Sequence, residues 1–304
     1  SKDTESTDKL DIWLLNLTRK LKSDIDNSIK SLELFRIPEH IMRYVDMLAN
    51  VWVKFSRDRL KNNYTEEDTV NSVSTLYKVL LESNLIISPF MPFNSDLLHN
   101  IITNSLNEIK IYESIHVKIQ NKNSNINEQI LESVENVITI IELVRSARTN
   151  MNKPLTMPIR NMEVYLPEKY VDKIDRYFDR YILEQGNIEN ITYNYSNENC
   201  VVIPERGALG KKFRKDAKKV MDLISKNNYQ DLSDGNVMFE DVKITNEYFK
   251  VKTKKINKDN YYTIQSDIYM ILLDETLDED LIWKTKLNLW KRDIQNTRKE
   301  LNYN

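Results

Sequence analysis

The chain has 304 residues and a formal charge of −2 at pH 7, and 40% of its residues are hydrophobic and 30% are charged. This length and apolar content predict about two domains with cores of their own, taking ~150 residues per domain. A single cysteine excludes an intrachain disulfide framework and a multi-cysteine zinc site. No apolar run reaches the ~18 residues of a membrane span.

The glycines and histidines show no pattern that is typical of an active site. Only four glycines occur, and they form neither a dinucleotide-binding nor a Walker loop. The three histidines, His40, His99 and His116, are far apart and lack metal-ligand spacing. We therefore predict no catalytic residue, no metal site and no cofactor within this chain.

The first half predicts long amphipathic helices. Apolar residues recur at steps of three and four, which is the helical period. Several such helices with short links favour an antiparallel helical bundle, which we expect over residues 1–153. The predicted helices are Leu10–Leu32, Ile41–Phe55, Val70–Leu85, a short one through Leu97 and Ile101, and Asn127–Asn150.

After Pro154 the apolar period changes to alternation, which indicates strands. Strands are predicted in "RNMEVYLP", "NITYNY", "CVVIP", "YFKVKT" and "YYTIQSDIYMILLD". Helices are expected at about 167–183, 209–225 and 278–301. Residues 154–304 therefore predict a smaller α+β domain with a largely antiparallel sheet, so the whole chain is mainly α.

Cations collect in several places on this nearly neutral chain. At the end of the fifth predicted helix, Arg148 falls on the apolar face and Arg145 at its border. Arg148 either has a structural role or faces a ligand. Residues 205–220 carry seven cations and two acids, which favours a polyanion partner over a solvated face. The candidates there are Lys211, Lys212, Arg214 and Lys215.

A third cluster, "WVKFSRDRLKNN", interleaves aromatic residues and cations. Such a mixture suits unpaired RNA, where bases stack on rings and phosphates meet cations. Trp52 is either a stacking residue or part of the core. The RNA-contact candidates are Trp52, Lys54, Arg57, Arg59 and Lys61. The last predicted helix is also basic, and we expect Trp283, Leu287 and Trp290 to form its apolar contacts.

Four stretches of the chain, and a fifth short one, resemble isoleucine–tRNA ligases of the eukaryotic cytoplasmic type, which are class I aminoacyl-tRNA synthetases. "IELVRSARTNMNKPLTMPI" resembles the family pattern I-E-L-G-R-x-x-R-x-x-x-x-x-P-x-x-x-P-L, and "ANVWVKFSRDRLK" resembles T-N-W-Y-x-R-F-N-R-R-R-L-K. "SPFMPF" and "LGKKFRKDAKKV" are similar to two further motifs, and "SIHV" to a short one. The sequence departs from the family at Val51, Asp58 and Val144, and the likeness is thin from about Asn257 onward.

The resemblance implies a fragment that comprises the anticodon-binding domain and a C-terminal extension. The adenylate-forming signatures are absent, so it implies a catalytically silent piece of an enzyme that joins isoleucine to tRNA, with ATP and Mg²⁺ expected for the full-length form. The implied partners are isoleucine-specific tRNA and an upstream catalytic domain, in the cytoplasm, with no DNA or membrane partner. Arg145 and Arg148 would be RNA contacts or interdomain clamps.

Two alternatives stay open from the sequence. Ligases for valine or leucine share a similar bundle, although the stretch from Arg145 to Ile159 favours isoleucine. A helical scaffold whose basic faces bind acidic protein partners would also fit the charge pattern.

Overall fold

The computed structural model describes residues 7–61, 63–104, 115, 125–197, 200–227, 229–233, 236–240, 242–245 and 247–301. The chain forms two compact units, Ser1–Glu132 (the N-terminal unit) and Ser133–Asn304 (the C-terminal unit). Apart from Ile115, the "SIHV" stretch lies outside the described residues. The predicted domain boundary after residue 153 stays a prediction.

The N-terminal unit is helical. Asp8 caps its first helix by accepting a hydrogen bond from the Leu10 amide at 2.8 Å, and Thr65 caps the fourth in the same way. The elements are α1 (Lys9–Lys30), α2 (Ile37–Asp46), a π-helix (Met47–Val53), α3 (Arg57–Leu60), α4 (Glu66–Ile87), α5 (Pro92–Asn104) and the start of α6 (Glu128–Asn150).

Side-chain contacts show that neighbouring helices run in opposite directions. Three contacts join α1 to the next helical segment in reversed chain order: Ser28 to His40 (3.2 Å), Thr18 to Tyr44 (3.0 Å) and Asp11 to Trp52 (3.1 Å). α4 then returns along that segment, since the Thr69 hydroxyl donates to the Arg59 carbonyl at 2.9 Å. The predicted helical bundle is confirmed.

The C-terminal unit contains a four-stranded sheet in the order β2-β1-β8-β7. β1 pairs in parallel with β2 and antiparallel with β8, so that Met162 lies opposite both Ile191 and Leu273. β8 is buried along its whole length. The sheet strands are β1 (Ile159–Leu166), β2 (Ile188–Tyr195), β7 (Tyr261–Gln265) and β8 (Met270–Asp274).

A second group of short elements builds its own core in this unit. Leu209, Val220, Ile224 and Phe249 are buried together there. The elements are β3 (Cys200–Pro204), α8 (Arg206–Phe213), α9 (Ala217–Lys226), α10 (Tyr229–Ser233), β4 (Met238–Phe239), β5 (Val242–Lys243) and β6 (Phe249–Thr253). β3 pairs with β6 and β4 with β5, both antiparallel. The predicted small α+β region is confirmed.

Two predicted helices are interrupted. The one expected at 167–183 is two 3₁₀ turns, Glu168–Lys173 and Arg176–Phe178, followed by α7 (Asp179–Gly186). Asp175 accepts a hydrogen bond from the Tyr177 amide at 3.0 Å, a local bond that competes with helix continuation.

The helix expected at 209–225 breaks at Arg214, whose φ of +44° lies outside the helical region and separates α8 from α9. "YYTIQSDIYMILLD" is a hairpin of β7 and β8, because it turns between Gln265 and Met270.

The last helix, α11 (Glu279–Glu300), is confirmed, but its predicted apolar contacts are wrong. Trp283, Leu287 and Trp290 are 65%, 50% and 66% exposed. The helix packs through another side of its first half instead, where Leu281 is buried, Lys284 donates to Glu189 at 2.6 Å and Asn288 donates to the Thr156 carbonyl at 3.0 Å. An amphipathic stripe shows that one side of a helix is apolar, but it does not show which side faces the protein.

Candidate nucleic-acid interface

The basic cluster that begins at Trp52, near the end of the π-helix, divides into a buried and an exposed half. Trp52 is 0% exposed, and its indole nitrogen donates to Asp11 at 3.1 Å. Of the two roles open from the sequence, the structure shows the core role, because the ring has no free face on which a base could stack in this conformation.

Arg59 is also buried, in a carboxylate network. Its Nη1 and Nη2 atoms donate to the two oxygens of Asp11 at 2.9 and 2.8 Å, and its Nε to Asp68 at 2.9 Å. Asp8 lies 3.5 Å from Nη1. Burial opposes the charge, but the hydrogen bonds and charge of Asp11, with Asp8 and Asp68, raise the pKa of Arg59. Its guanidinium is thus directed into the bundle and neutralised.

The remaining cations of this cluster face outward. Lys54, Arg57 and Lys61 are exposed and lie three and four residues apart, on one side of the helical segment. Asp58, which stands where the family pattern has an arginine, is exposed between them and accepts a hydrogen bond from Asn63 at 3.1 Å. This surface, the Lys54 patch, keeps three cations and one acid.

At the end of α6, Arg148 is 3% exposed and bound to main-chain carbonyls. Its acceptors are the oxygens of Gly186 (2.8 Å), Pro154 (3.1 Å), Met157 (2.8 Å) and Asn187 (2.9 Å). Burial lowers the pKa of Arg148 to about 10, so the group stays charged at neutral pH. Arg148 therefore joins α6 to the loop before β1 and to the turn between α7 and β2, and acts as a brace within the C-terminal unit.

Close packing supports this brace. A Cβ atom at Gly186 would lie 2.8 Å from Cδ1 of Ile188 and 3.3 Å from Cγ1 of Val144, so the turn can approach α6 only without a side chain there. Asn187 follows in a left-handed conformation, with φ of +47°. The brace is thus built from a glycine, a left-handed turn and one arginine.

Arg145 is exposed beside this brace and lines an open pocket. The pocket has a volume of about 490 Å³ and is lined by Arg145, Arg148, Thr149, Asn152, Lys153, Pro154 and Leu155. Three of these described lining residues are cations and none is an acid. Nη2 of Arg145 donates to Gln185 at 3.2 Å, and burial lowers the pKa of Lys153. The concave shape and positive charge suit an anion.

Lys153 was not among the sequence-predicted site residues. The sequence feature that points to Lys153 is its place in the run from Arg145 to Arg160, which carries four cations and no acid. Arg160, the last of them, is held by Asp278 and Asp280. The run thus divides into a brace, an ion-paired residue and two pocket cations.

The second basic cluster lies on the outer surface of α8 and α9. Lys211, Lys212, Arg214 and Lys215 are all exposed, while Phe213 between them packs against Phe239 and Tyr248. Lys211 and Lys212 are in the last turn of α8, where the helix dipole favours cations, because the helix breaks at Arg214. This surface is called the Lys211 patch.

Other kinds of site find no support in the described residues. No three His, Cys, Asp or Glu side chains among them are placed to hold a metal ion. None of the helices described is long and apolar enough to cross a membrane.

Residues 11–163 match the family described as the anticodon-binding domain of tRNA ligase, and this match covers half of the chain. The chain therefore belongs to that family. It is 27% identical over 288 residues to the cytoplasmic isoleucine–tRNA ligase of Schizosaccharomyces pombe, covering 91% of this chain and 26% of that protein.

Two further relatives are similar over most of the chain. A probable cytoplasmic isoleucine–tRNA ligase of Dictyostelium discoideum is 25% identical, covering 97% of this chain and 29% of that protein. The isoleucine–tRNA ligase of Clostridium kluyveri is 28% identical, with the same 97% and 29% coverage. The chain thus spans less than a third of the length of these relatives, and the predicted family resemblance is confirmed.

Proposed function

We propose that this chain is the region of an isoleucine–tRNA ligase that binds the anticodon arm of its tRNA. The observation that carries this proposal is the cation-lined pocket at the end of α6, formed by Arg145, Arg148 and Lys153. These residues lie within the segment that matches the anticodon-binding family. Arg145 and Lys153 are the two pocket cations that would meet phosphate oxygens, which accept hydrogen bonds from arginine and lysine.

The exposed cations would contact the RNA backbone, and the buried residues would hold them in place. The proposed phosphate contacts are Lys54, Arg57, Lys61, Arg145, Lys153, Lys211, Lys212, Arg214 and Lys215. Arg59 and Trp52 would fix the helical segment that presents the Lys54 patch, and Arg148 would fix the edge of the pocket. Phosphate contacts set position, so anticodon specificity needs further contacts to base edges.

The relatives support isoleucine over valine or leucine, because the three named above are isoleucine–tRNA ligases. By analogy with them, the full-length protein would join isoleucine to tRNA with ATP and Mg²⁺, in the cytoplasm. Its partners would then be isoleucine tRNA and a catalytic domain upstream in the same chain, with no DNA or membrane partner.

A binding titration tests the proposal. The chain is titrated with an isoleucine tRNA transcript and with the same transcript carrying an altered anticodon, each at two salt concentrations. We expect salt-sensitive binding that weakens several-fold with the altered anticodon. Each lost phosphate contact lowers the salt slope by roughly 0.7–0.9, so K54A/R57A/K61A should lower it by about two to three.

Lys30 provides the matched control, because it is exposed in the same unit, at the end of α1 opposite to Asp11. K30A should bind like the unchanged chain. Equal salt-sensitive binding to both transcripts would refute anticodon reading while leaving a backbone grip. No binding to either transcript, with binding to an acidic peptide, would refute RNA binding.

A further inference from the structure

α11 presents an apolar stripe to the outside of the C-terminal unit. Trp283, Leu287, Trp290 and Ile294 follow one another at steps of four, three and four, so they lie on one side of the helix. Ile294 is 59% exposed, similar to the two tryptophans. Two large rings in water are unusual on a soluble surface and mark a contact site when they are contiguous.

The second half of α11 has no packed side at all. From Lys291 to Glu300 every residue is exposed. A stretch of about three helical turns is marginal in water on its own, because nucleation is costly and each turn adds little stability. The first half of α11 is anchored by Leu281 and Lys284. The second half continues from it as a helix that lacks packing partners among the described residues.

Cations border the apolar stripe. From Trp283 to Lys299 the helix carries six cations and one acid. Lys286, Lys291 and Arg298 are exposed beside the stripe, and Nζ of Lys286 lies 5.0 Å from the centre of the Trp283 ring. The single acid, Asp293, contacts Arg292 at 3.8 Å. The border of the stripe is therefore positive.

We propose that this side of α11 is a stacking surface for unpaired bases of the bound tRNA, with Trp283 and Trp290 as the stacking rings and Lys286, Lys291 and Arg298 as phosphate contacts. Indole rings flanked by cations are the combination that single-stranded nucleic acid uses, because every base offers a ring face and every linkage a negative charge. A docked helix would gain from the cations only if it carried acids of its own beside its apolar side, whereas nucleic acid supplies a negative charge at every linkage. This inference rests on the proposed tRNA binding and extends it.

The spacing limits how many bases are engaged. The two tryptophans are seven positions apart, which is about 10.5 Å along a helix that rises 1.5 Å per residue. The two rings are too far apart to hold one base between them. Each would stack on a different base of an unpaired segment, and the cations between them would follow the backbone.

The test replaces the rings and keeps the apolar stripe. In W283L/W290L the helix stays apolar, so protein docking should persist while stacking is lost. We expect tRNA affinity to fall about tenfold or more, because each stacked base raises the affinity by a factor of roughly five or more. W283F/W290F, which retains smaller rings, should recover part of the loss. L287A, a truncation on the same stripe, should change affinity less than about twofold.

Further measurements separate this inference from the proposed function. Tryptophan fluorescence should be quenched by an unpaired RNA oligonucleotide, and W283F/W290F should abolish the quenching, since Trp13 and Trp52 are buried. If K54A/R57A/K61A weakens tRNA binding and W283L/W290L does not, the stacking inference is refuted and the proposed function stands. If the unchanged chain binds no tRNA, both fail.

A second copy of the chain is the remaining occupant to test. If sedimentation shows a dimer that W283K dissociates, the stripe is an interface between copies, and the stacking inference is refuted. A monomer at the concentrations of the tRNA titration, together with the loss of affinity in W283L/W290L, would support it.

Discussion

Arg59→Ala should destabilise the N-terminal unit strongly, although the basic stretch around Arg59 predicts an RNA contact. The Asp11 carboxylate is fully buried and accepts two bonds from the Arg59 guanidinium. Alanine would remove both of these bonds, while the Trp52 indole would still donate to the carboxylate. Removing one partner of a buried ion pair costs about 3–5 kcal/mol, a large share of the ~5–15 kcal/mol that stabilises a typical domain.

The assay is urea unfolding followed by tryptophan fluorescence. The chain has four tryptophans, and W283F/W290F leaves Trp13 and Trp52, both buried in the N-terminal unit. In that background the free energy of unfolding of this unit is measured with and without R59A. R57A is the matched control, since Arg57 is exposed only two residues away and its loss should change stability by less than about 0.5 kcal/mol.

A double variant tests the cause of the loss. D11L/R59L removes both charges, so it should lose less stability than the sum of the two single variants. A loss below about 1 kcal/mol in R59A, accompanied by weaker tRNA binding, would contradict the assignment of Arg59 to the core and return it to the RNA contacts.

Three further predictions concern the C-terminal unit. R148M should lower the free energy of unfolding by about 3 kcal/mol or more, because four carbonyls lose their donor and each one left buried costs ~1–3 kcal/mol. Thermal unfolding measures the loss, with R145M as a control that should be nearly neutral. Equal effects of the two substitutions would contradict the brace. R214G should raise stability by about 1 kcal/mol despite losing a cation, because a φ of +44° strains any residue except glycine. Chemical unfolding measures the change in stability, and a loss of stability similar to that of K211G would contradict strain at Arg214. Burial raises the pKa of the Cys200 thiol to about 11. The rate of its alkylation by iodoacetamide should therefore be slow at pH 8 and rise about tenfold per pH unit up to about pH 11, whereas the rate for a free thiol near pKa 8.5 levels off earlier. Mass spectrometry of labelled protein measures the rate, and a plateau near pH 9 would rule out the burial.

The sequence predicted the helices and strands well where their apolar periods were regular. α1, α4, α6 and α11 occur within a few residues of the predicted positions. The apolar period of a helix or strand reflects which of its own residues are buried, so it can be read from a short stretch of sequence. No glycine or proline stands at or beside Arg214 to mark the break, and Phe213 just before it packs against Phe239 and Tyr248, which are distant in sequence.

The roles of individual cations could not be read from the sequence. Arg57 and Arg59 are two positions apart in a basic stretch, yet one is exposed and the other is enclosed by Asp11, 48 residues earlier in the chain. Likewise, Arg148 meets carbonyls at Gly186 and Asn187, which no local pattern associates with it. Partners that are distant in sequence decide whether a charge is free to meet a ligand.

The strand order of the main sheet has a consequence for how the protein is made. β1 ends at Leu166, but its antiparallel neighbour β8 begins only at Met270. A ribosome that adds 5–20 residues per second needs roughly 5–20 s to cross that interval. During this time one edge of β1 is unpaired, and it can recruit strands from other chains. Newly made chains should therefore be most prone to aggregate just before β8 emerges, and a chain stopped before Met270 should be insoluble.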